Sequence, residues 1–124
     1  VSKKVKYGWD NKNNEAYNDI SIQKFFLIKN GMESSRFTIF DYDNDQLPKD
    51  NFDIIISLFS LDYHYDFNIY LDYLRSTTHS HSKIIFDTIR PNYFKNFFKE
   101  VVIIKDRSKA IHGSKRIMCR NFLN

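Results

Sequence analysis

Asp53-Ile-Ile-Ile-Ser-Leu-Phe59 and Lys83-Ile-Ile-Phe-Asp87 are the two stretches that decide the fold. Both are short, rich in β-branched residues, and without the polar–apolar alternation of a strand that has one solvated face. Continuous apolar runs of this kind indicate strands covered on both faces. Residues 101–105 form a third such run, and residues 36–41 alternate more and predict a further strand. We therefore predict four strands before the C-terminal tail.

The segment between the first two runs has the period of an amphipathic helix. Its apolar residues fall at i, i+3, i+4 and i+7, which gives one apolar face: Phe67, Tyr70, Leu71 and Leu74. Asp66 stands where an N-cap residue accepts hydrogen bonds from the first free backbone donors. This is the clearest helix of the sequence.

Two further helices and a final strand complete the pattern. Pro91 and the phenylalanines after it predict a short helix with proline in its first turn. An earlier helix over residues 15–29 ends at Asn30-Gly31, a usual left-handed stop. Residues 115–122 can supply a last, antiparallel strand, and residues 41–51 are predicted to be a loop. Strands alternating with helices indicate an α/β fold with a mostly parallel sheet and right-handed crossovers.

The bulk composition indicates one globular domain over residues 1–124. Hydrophobic residues make up 42% and charged residues 27% of the 124-residue chain, as is usual for proteins that fold in water. No apolar run approaches the roughly 20 residues that span a bilayer, and no hydrophobic signal region follows the N-terminus, so we expect a cytoplasmic location. The single cysteine, Cys119, excludes a disulfide framework and a cysteine-based zinc site within the chain.

Polar residues with carboxylates follow each of the first three predicted strands. They lie at residues 41–45, 59–65 and 87–90. In open α/β sheets, ligands bind beyond the carboxyl ends of the strands. We therefore expect the functional residues in these three segments.

One stretch of this sequence resembles a known family. Phe52-Asp-Ile-Ile-Ile-Ser-Leu-Phe-Ser-Leu61 is a predicted strand that opens with Phe-Asp and continues into a Ser/Leu-rich edge and a helix. It resembles the fourth-strand region of class I S-adenosylmethionine-dependent methyltransferases, and residues 36–48 resemble their third strand and its loop. Residues 57–65, with residues 85–90 downstream, resemble in particular proteins described as sugar O-methyltransferases. The resemblance covers about residues 15–122.

The resemblance implies a Rossmann-like, mostly parallel sheet with flanking helices and a C-terminal antiparallel strand. It implies S-adenosylmethionine as the cofactor and O-methylation of a small hydroxylated substrate such as a sugar. Asp41 and Tyr42 would approach the adenine, and Ser57 and Leu58 would line the cofactor groove. The alternative for Asp41 is a turn in an acidic loop, and the alternative for Ser57 and Leu58 is an ordinary buried strand end.

The catalytic and substrate-binding candidates lie at or after the ends of the apolar runs at residues 53–59 and 83–87. His64, between two tyrosines, could act as the general base that takes a proton from a substrate hydroxyl. Asp87, a second catalytic candidate, and Arg90 could bind substrate hydroxyls or an anionic group, or form a salt bridge with each other. Asp62 and Tyr63 are further substrate-binding candidates. The alternative for His64 is a loop histidine that caps the following helix or packs with the tyrosines.

The sequence departs from the family pattern at the cofactor loop. The only glycines are Gly8, Gly31 and Gly113, so the first strand and the glycine-rich loop of the family have no counterpart. In the family the first and second strands lie between the third and the fourth, at the centre of the sheet. We therefore expect either a sheet that is incomplete on its N-terminal side, in a chain that belongs to a longer reading frame, or strands that pair differently from the family pattern.

The main alternative to the methyltransferase is a non-catalytic α/β binding or assembly domain that lacks the cofactor loop. A nucleic-acid-binding module is disfavoured, because the basic residues behind the net charge of +4 are scattered from Lys3 to Arg120. No metal site is predicted, since His79 and His81 lie in a loop at the opposite, amino-terminal edge without a third ligand.

Overall fold

The structure, a computed structural model, describes residues 20–41, 44–63, 65–109 and 113–124. The chain divides into two compact units, one up to Pro48 and one from Lys49 onward. In the described residues, the second unit contains all the strands and the whole hydrophobic core.

The first unit contains helix α1, Ile20–Lys29. The helix ends as predicted at Asn30-Gly31, where Gly31 adopts a φ of 88°. The Gly31 amide donates to the Ile28 carbonyl (3.0 Å) and the Met32 amide to the Leu27 carbonyl (3.1 Å), which is a Schellman arrangement. The predicted start at residues 15–19 lies outside the described residues. No α1 residue is buried, in keeping with apolar residues on two sides.

The strand predicted over residues 36–41 is wrong. Ser34–Arg36 forms a short 3-10 helix, and the residues after it follow an extended or irregular path without a strand partner in the described part of the chain. Alternating side chains favour a pleated backbone. A strand also needs a neighbour to take its backbone hydrogen bonds, however, and the local pattern does not supply one.

Among its described residues, the second unit has four strands: β1, Ile54–Ser57; β2, Lys83–Thr88; β3, Phe98–Arg107; and β4, Ser114–Phe122. They form an open mixed sheet in the order β1-β2-β4-β3. Only β1 and β2 pair in parallel, and β4 pairs antiparallel with both β2 and β3. The strands predicted at the three apolar runs and in the tail are therefore confirmed, as is the α/β class with flanking helices. The predicted mostly parallel sheet is not confirmed, because two of the three strand pairs are antiparallel.

The directions of the strands bring several chain segments to one edge of the sheet. Because β2 and β3 are both antiparallel to β4, β3 runs in the same direction as β1 and β2. The ends of these three strands and the start of β4 therefore lie together. We call this the carboxyl edge; it comprises residues 58–63, 89–90, Arg107 and Ser114.

Two helical segments follow the parallel strands. Helix α2, Phe67–Ser76, begins at Asp66, whose carboxylate accepts from the Asn68 amide at 2.9 Å, which confirms the predicted N-cap. The segment after β2 is a 3-10 helix, Pro91–Asn96, with proline in its first turn as predicted. It is shorter than expected, because Phe98 already belongs to β3.

The core lies between one face of the sheet and these two helical segments. Phe67 is fully buried, and its ring lies 4.9 Å from the ring of Phe94 and 5.7 Å from that of Phe86. Burial raises the pKa of the Cys119 thiol to about 12, as expected for a structural cysteine. The other face carries Ile56, which is 61% exposed, so the expectation of two covered faces is not met in the described residues.

Replacing Phe67 with alanine tests this account of the core. We expect Phe67→Ala to lower the free energy of unfolding by about 3–5 kcal/mol, because it leaves a cavity among the four phenylalanine rings that contact Phe67. Urea unfolding followed by circular dichroism measures the loss. Ile69→Ala on the same helix is the matched control, since Ile69 is 68% exposed and the change should stay within about 0.5 kcal/mol. Equal losses would contradict the packing.

Candidate functional site

The parallel pairing of β1 with β2 brings two of the three predicted functional segments together. Ile54 pairs with Lys83 and Ser57 with Phe86, so both strands end side by side. Residues 58–63 after β1 and residues 87–90 at the end of β2 are consequently neighbours. This confirms that these segments share an edge of the sheet. Residues 41–45 belong to the first unit.

The loop after β1 has a constrained backbone. Phe59 and Asp62 adopt left-handed conformations, with φ of 58° and 64°, which is rare for a bulky aromatic residue. The Leu61 amide donates to Ser57 Oγ at 3.2 Å, and the Asp62 amide donates to the Tyr65 carbonyl at 2.7 Å. Backbone outliers of this kind cluster at functional sites, so the loop is a candidate on geometry as well as on position.

Asp62 is the anchor of this loop. Its carboxylate is fully buried and accepts from Thr88 Oγ at 2.6 Å and from Arg90 Nε at 3.1 and 3.2 Å, with a further bond from Arg90 Nη2. The hydrogen bond to Asp62 raises the pKa of the Arg90 guanidinium above its ordinary value. The structure therefore joins two of the predicted substrate-binding residues in one ion pair.

Three residues that the sequence did not assign to the site surround Arg90. The guanidinium lies over the Tyr93 ring, 4.2 Å from its centroid, and Nη2 lies 3.9 Å from Asp66 Oδ1. Asn68 Nδ2 donates to Asp66 Oδ1 at 3.0 Å and to Tyr93 Oη at 3.2 Å. The six residues linked in this way are called the Arg90 cluster: Asp62, Asp66, Asn68, Thr88, Arg90 and Tyr93.

Asp87 is not part of this cluster. It is fully buried and forms a two-pronged ion pair with Arg116, at 3.0 Å from Nε to Oδ1 and 3.0 Å from Nη2 to Oδ2. The alternative of a salt bridge between Asp87 and Arg90 is wrong. Successive strand residues point to opposite faces, so Thr88 turns toward Asp62 while Asp87 meets its register partner on β4.

The remaining candidates of the second unit lie along the loop after β1. Ser57 accepts a loop hydrogen bond, and Leu58 is exposed. Tyr63 packs edge-on against Phe59, with ring centroids 6.1 Å apart, and Phe59 also lies 4.7 Å from the Arg107 guanidinium. Because β1 and β3 are the outer strands of the sheet, the contact between Phe59 and Arg107 shows that the loop after β1 extends across the ends of β2 and β4. His64 lies outside the described residues.

The predicted adenine-binding residues belong to the first unit. The Asp41 carbonyl accepts from the amides of Asn44 (3.1 Å) and Asp45 (2.7 Å), and its own amide donates to the Asp45 carboxylate at 2.7 Å. The Asp41 carboxylate also accepts from the Asn44 side chain. Asp41 thus closes the turn that the alternative interpretation predicted. Tyr42 lies outside the described residues.

The histidine loop lies at the opposite edge, as predicted. His79 Nε2 is 3.0 Å from Asp53 Oδ1, and the His81 amide donates to His79 Nδ1 at 3.2 Å. Because His79 Nδ1 accepts the hydrogen bond from the His81 amide, the ring proton of the neutral imidazole is on Nε2, which donates to Asp53. Within the described residues, no group of three or more His, Cys, Asp or Glu side chains is arranged to hold a metal ion.

Comparison of the chain with protein families, curated protein sequences and solved structures finds no match. Among the helices that the structure describes, none is both long and apolar enough to cross a membrane.

Neutralising Asp62 tests its role as the anchor of the loop. We expect Asp62→Asn to lower the free energy of unfolding by about 2 kcal/mol, because Arg90 loses its buried charged partner. Asparagine tolerates the left-handed backbone of residue 62, so the variant differs from the original chain in the charge and not in backbone strain. Asp53→Asn removes an exposed partner of His79 and should cost less than about 1 kcal/mol. Urea denaturation measures the free energy of unfolding of both variants. A smaller loss of stability for Asp62→Asn than for Asp53→Asn would contradict the role of Asp62 in holding the loop.

Proposed function

We propose that this chain is part of a class I S-adenosylmethionine-dependent methyltransferase that methylates an oxygen of a small hydroxylated molecule such as a sugar. The observation that carries the proposal is the side-by-side ending of parallel β1 and β2. It brings together the two chain segments that resemble sugar O-methyltransferases, residues 57–65 and 85–90. The proposed sheet is Rossmann-like.

The directions of the strands support a Rossmann-like sheet. The resemblance implies like-directed strands and an antiparallel strand at the C-terminal end, and β4 is antiparallel to both of its neighbours. The outer edge of β1 is unpaired in the described residues, and the β1 side chains Ile54 and Ile56 are exposed. The resemblance implies that the cofactor-binding strands lie beside this strand, so the open edge agrees with the proposal.

The residues fit only part of the cofactor. Leu58 is an exposed apolar side chain at the end of β1 that is available to pack against the adenosine half, and the Ser57 hydroxyl accepts the Leu61 amide within the loop. Asp41 and Tyr42 remain adenine contacts that the resemblance alone predicts. Because the sequence has no counterpart of the glycine-rich loop, no residues are assigned to the methionine half. When bound, S-adenosylmethionine supplies the methyl group as a sulfonium.

The protein's own contribution to the chemistry is to orient the acceptor and take its proton. Holding a substrate hydroxyl in line with the methyl group supplies most of the acceleration in a transfer of this kind. Arg90, fixed by Asp62 and Tyr93, offers hydrogen-bond donors for that purpose. His64, between Tyr63 and Tyr65, remains the proposed general base, and Asp87 the second catalytic candidate, though its carboxylate is engaged by Arg116.

Calorimetric titration of the whole chain with S-adenosylhomocysteine and with adenosine tests the proposal. We expect both to bind with similar Kd, because only the adenosine half has assigned contacts. Leu58→Asp should weaken both by about tenfold, equivalent to about 1.4 kcal/mol. Ile69→Asp, which places the same charge on the exposed side of α2, should change neither. No heat with either ligand would overturn the proposal and favour the non-catalytic α/β binding or assembly domain.

A further inference from the structure

We propose that the Arg90 cluster is the acceptor-binding site and that it selects an uncharged polyhydroxyl group over an anionic one. Asp66, Asn68 and Tyr93 complete the site beside Asp62 and Arg90. The inference rests on the proposed function for the identity of the reaction. The selectivity itself follows from the charges and the hydrogen-bonding groups of the cluster.

The cluster keeps unused hydrogen-bonding groups on its solvent side. Arg90 gives Nε and Nη2 to Asp62, and its Nη1 hydrogens have no acceptor among the residues that the structure describes. Tyr93 Oη accepts from Asn68, which leaves the phenol hydrogen available to donate. Asn68 uses Nδ2 for its two bonds and keeps Oδ1 as an acceptor.

Donors and acceptors that lie side by side suit hydroxyl groups, because each hydroxyl both donates and accepts. A phosphate or a carboxylate, in contrast, only accepts. Arg90 is 43% exposed and Asp66 57% exposed, so a ligand can reach both. The ion pair and the Tyr93 ring hold the guanidinium in place, which gives the donors a fixed direction.

The charges of the cluster oppose an anion. Two carboxylates, Asp62 and Asp66, face the one guanidinium of Arg90, which leaves a net charge of −1. Of the basic residues near this edge, Arg116 pairs with Asp87 and Lys115 with Asp106, and the Arg107 guanidinium lies over the ring of Phe59. Asp62 offsets the positive charge of Arg90, and the repulsion from Asp66 alone would weaken the binding of an anion about 5 Å away by about fourfold in a water-like dielectric.

Nuclear magnetic resonance titration of the isotope-labelled chain tests the site. The probes are D-glucose and its 1-phosphate and 6-phosphate, and the reporters are the Arg90 Nε–H and Asn68 side-chain amide signals. We expect glucose to shift both signals, and both phosphates to bind at least about fourfold more weakly. Equal or tighter binding of either phosphate, or shifts that leave out both reporters, would overturn the inference.

A charge-neutralising variant separates selectivity from folding. Asp66→Asn keeps a side chain that caps α2, and it should reduce the preference for glucose over the phosphates to near equality. Asp72→Asn, the same charge change at an exposed position of α2, should leave the preference unchanged. An unchanged preference in Asp66→Asn would refute the role of Asp66. If S-adenosylhomocysteine fails to bind while the preference for glucose persists, the proposed methyltransferase function is contradicted but the proposed binding site at the Arg90 cluster is not.

Discussion

The parallel pairing of β1 with β2 is the constraint on which the rest of the structure depends. Parallel neighbours cannot be joined by a tight turn, so the chain must return along one face of the sheet. Helix α2 makes that return and brings Phe67 into the core. The same pairing ends both strands at one edge. With the opposite direction of either strand, Asp62 and Arg90 would lie at opposite ends of the sheet.

A buried carboxylate links the stability of this edge to its proposed chemistry. Asp62 holds the loop after β1 against Thr88 and Arg90, and the loop backbone reaches this position through left-handed Phe59 and Asp62. A left-handed backbone at a bulky residue persists only where the surroundings over-determine it. The bonds that hold the loop also fix the direction of the Arg90 guanidinium. The structural role and the proposed ligand-binding role therefore belong to the same side chains.

The features that depend on local pattern were predictable, and those that depend on distant partners were not. The apolar runs predict β1 and β2, and Asp66 predicts the start of α2, because their signals lie within a few residues. The ion pair between Asp87 and Arg116 forms because β4 lies beside β2, and the two residues are 29 positions apart in the chain. Residues 36–41 have a strand pattern but lack a described partner strand. Tyr93 and Asn68 were missed because neither has a sequence signal of its own beyond its position near Arg90 or Asp66.

The register of β1 against β2 in solution is the most direct test of this account. Nuclear Overhauser contacts in the isotope-labelled chain measure it. The parallel pairing predicts contacts between Ile54 and Lys83 and between Ser57 and Phe86. Contacts that instead join Ile54 with Phe86 and Ser57 with Lys83 would mean antiparallel strands. The shared carboxyl edge, and every function proposed for it, would then be contradicted.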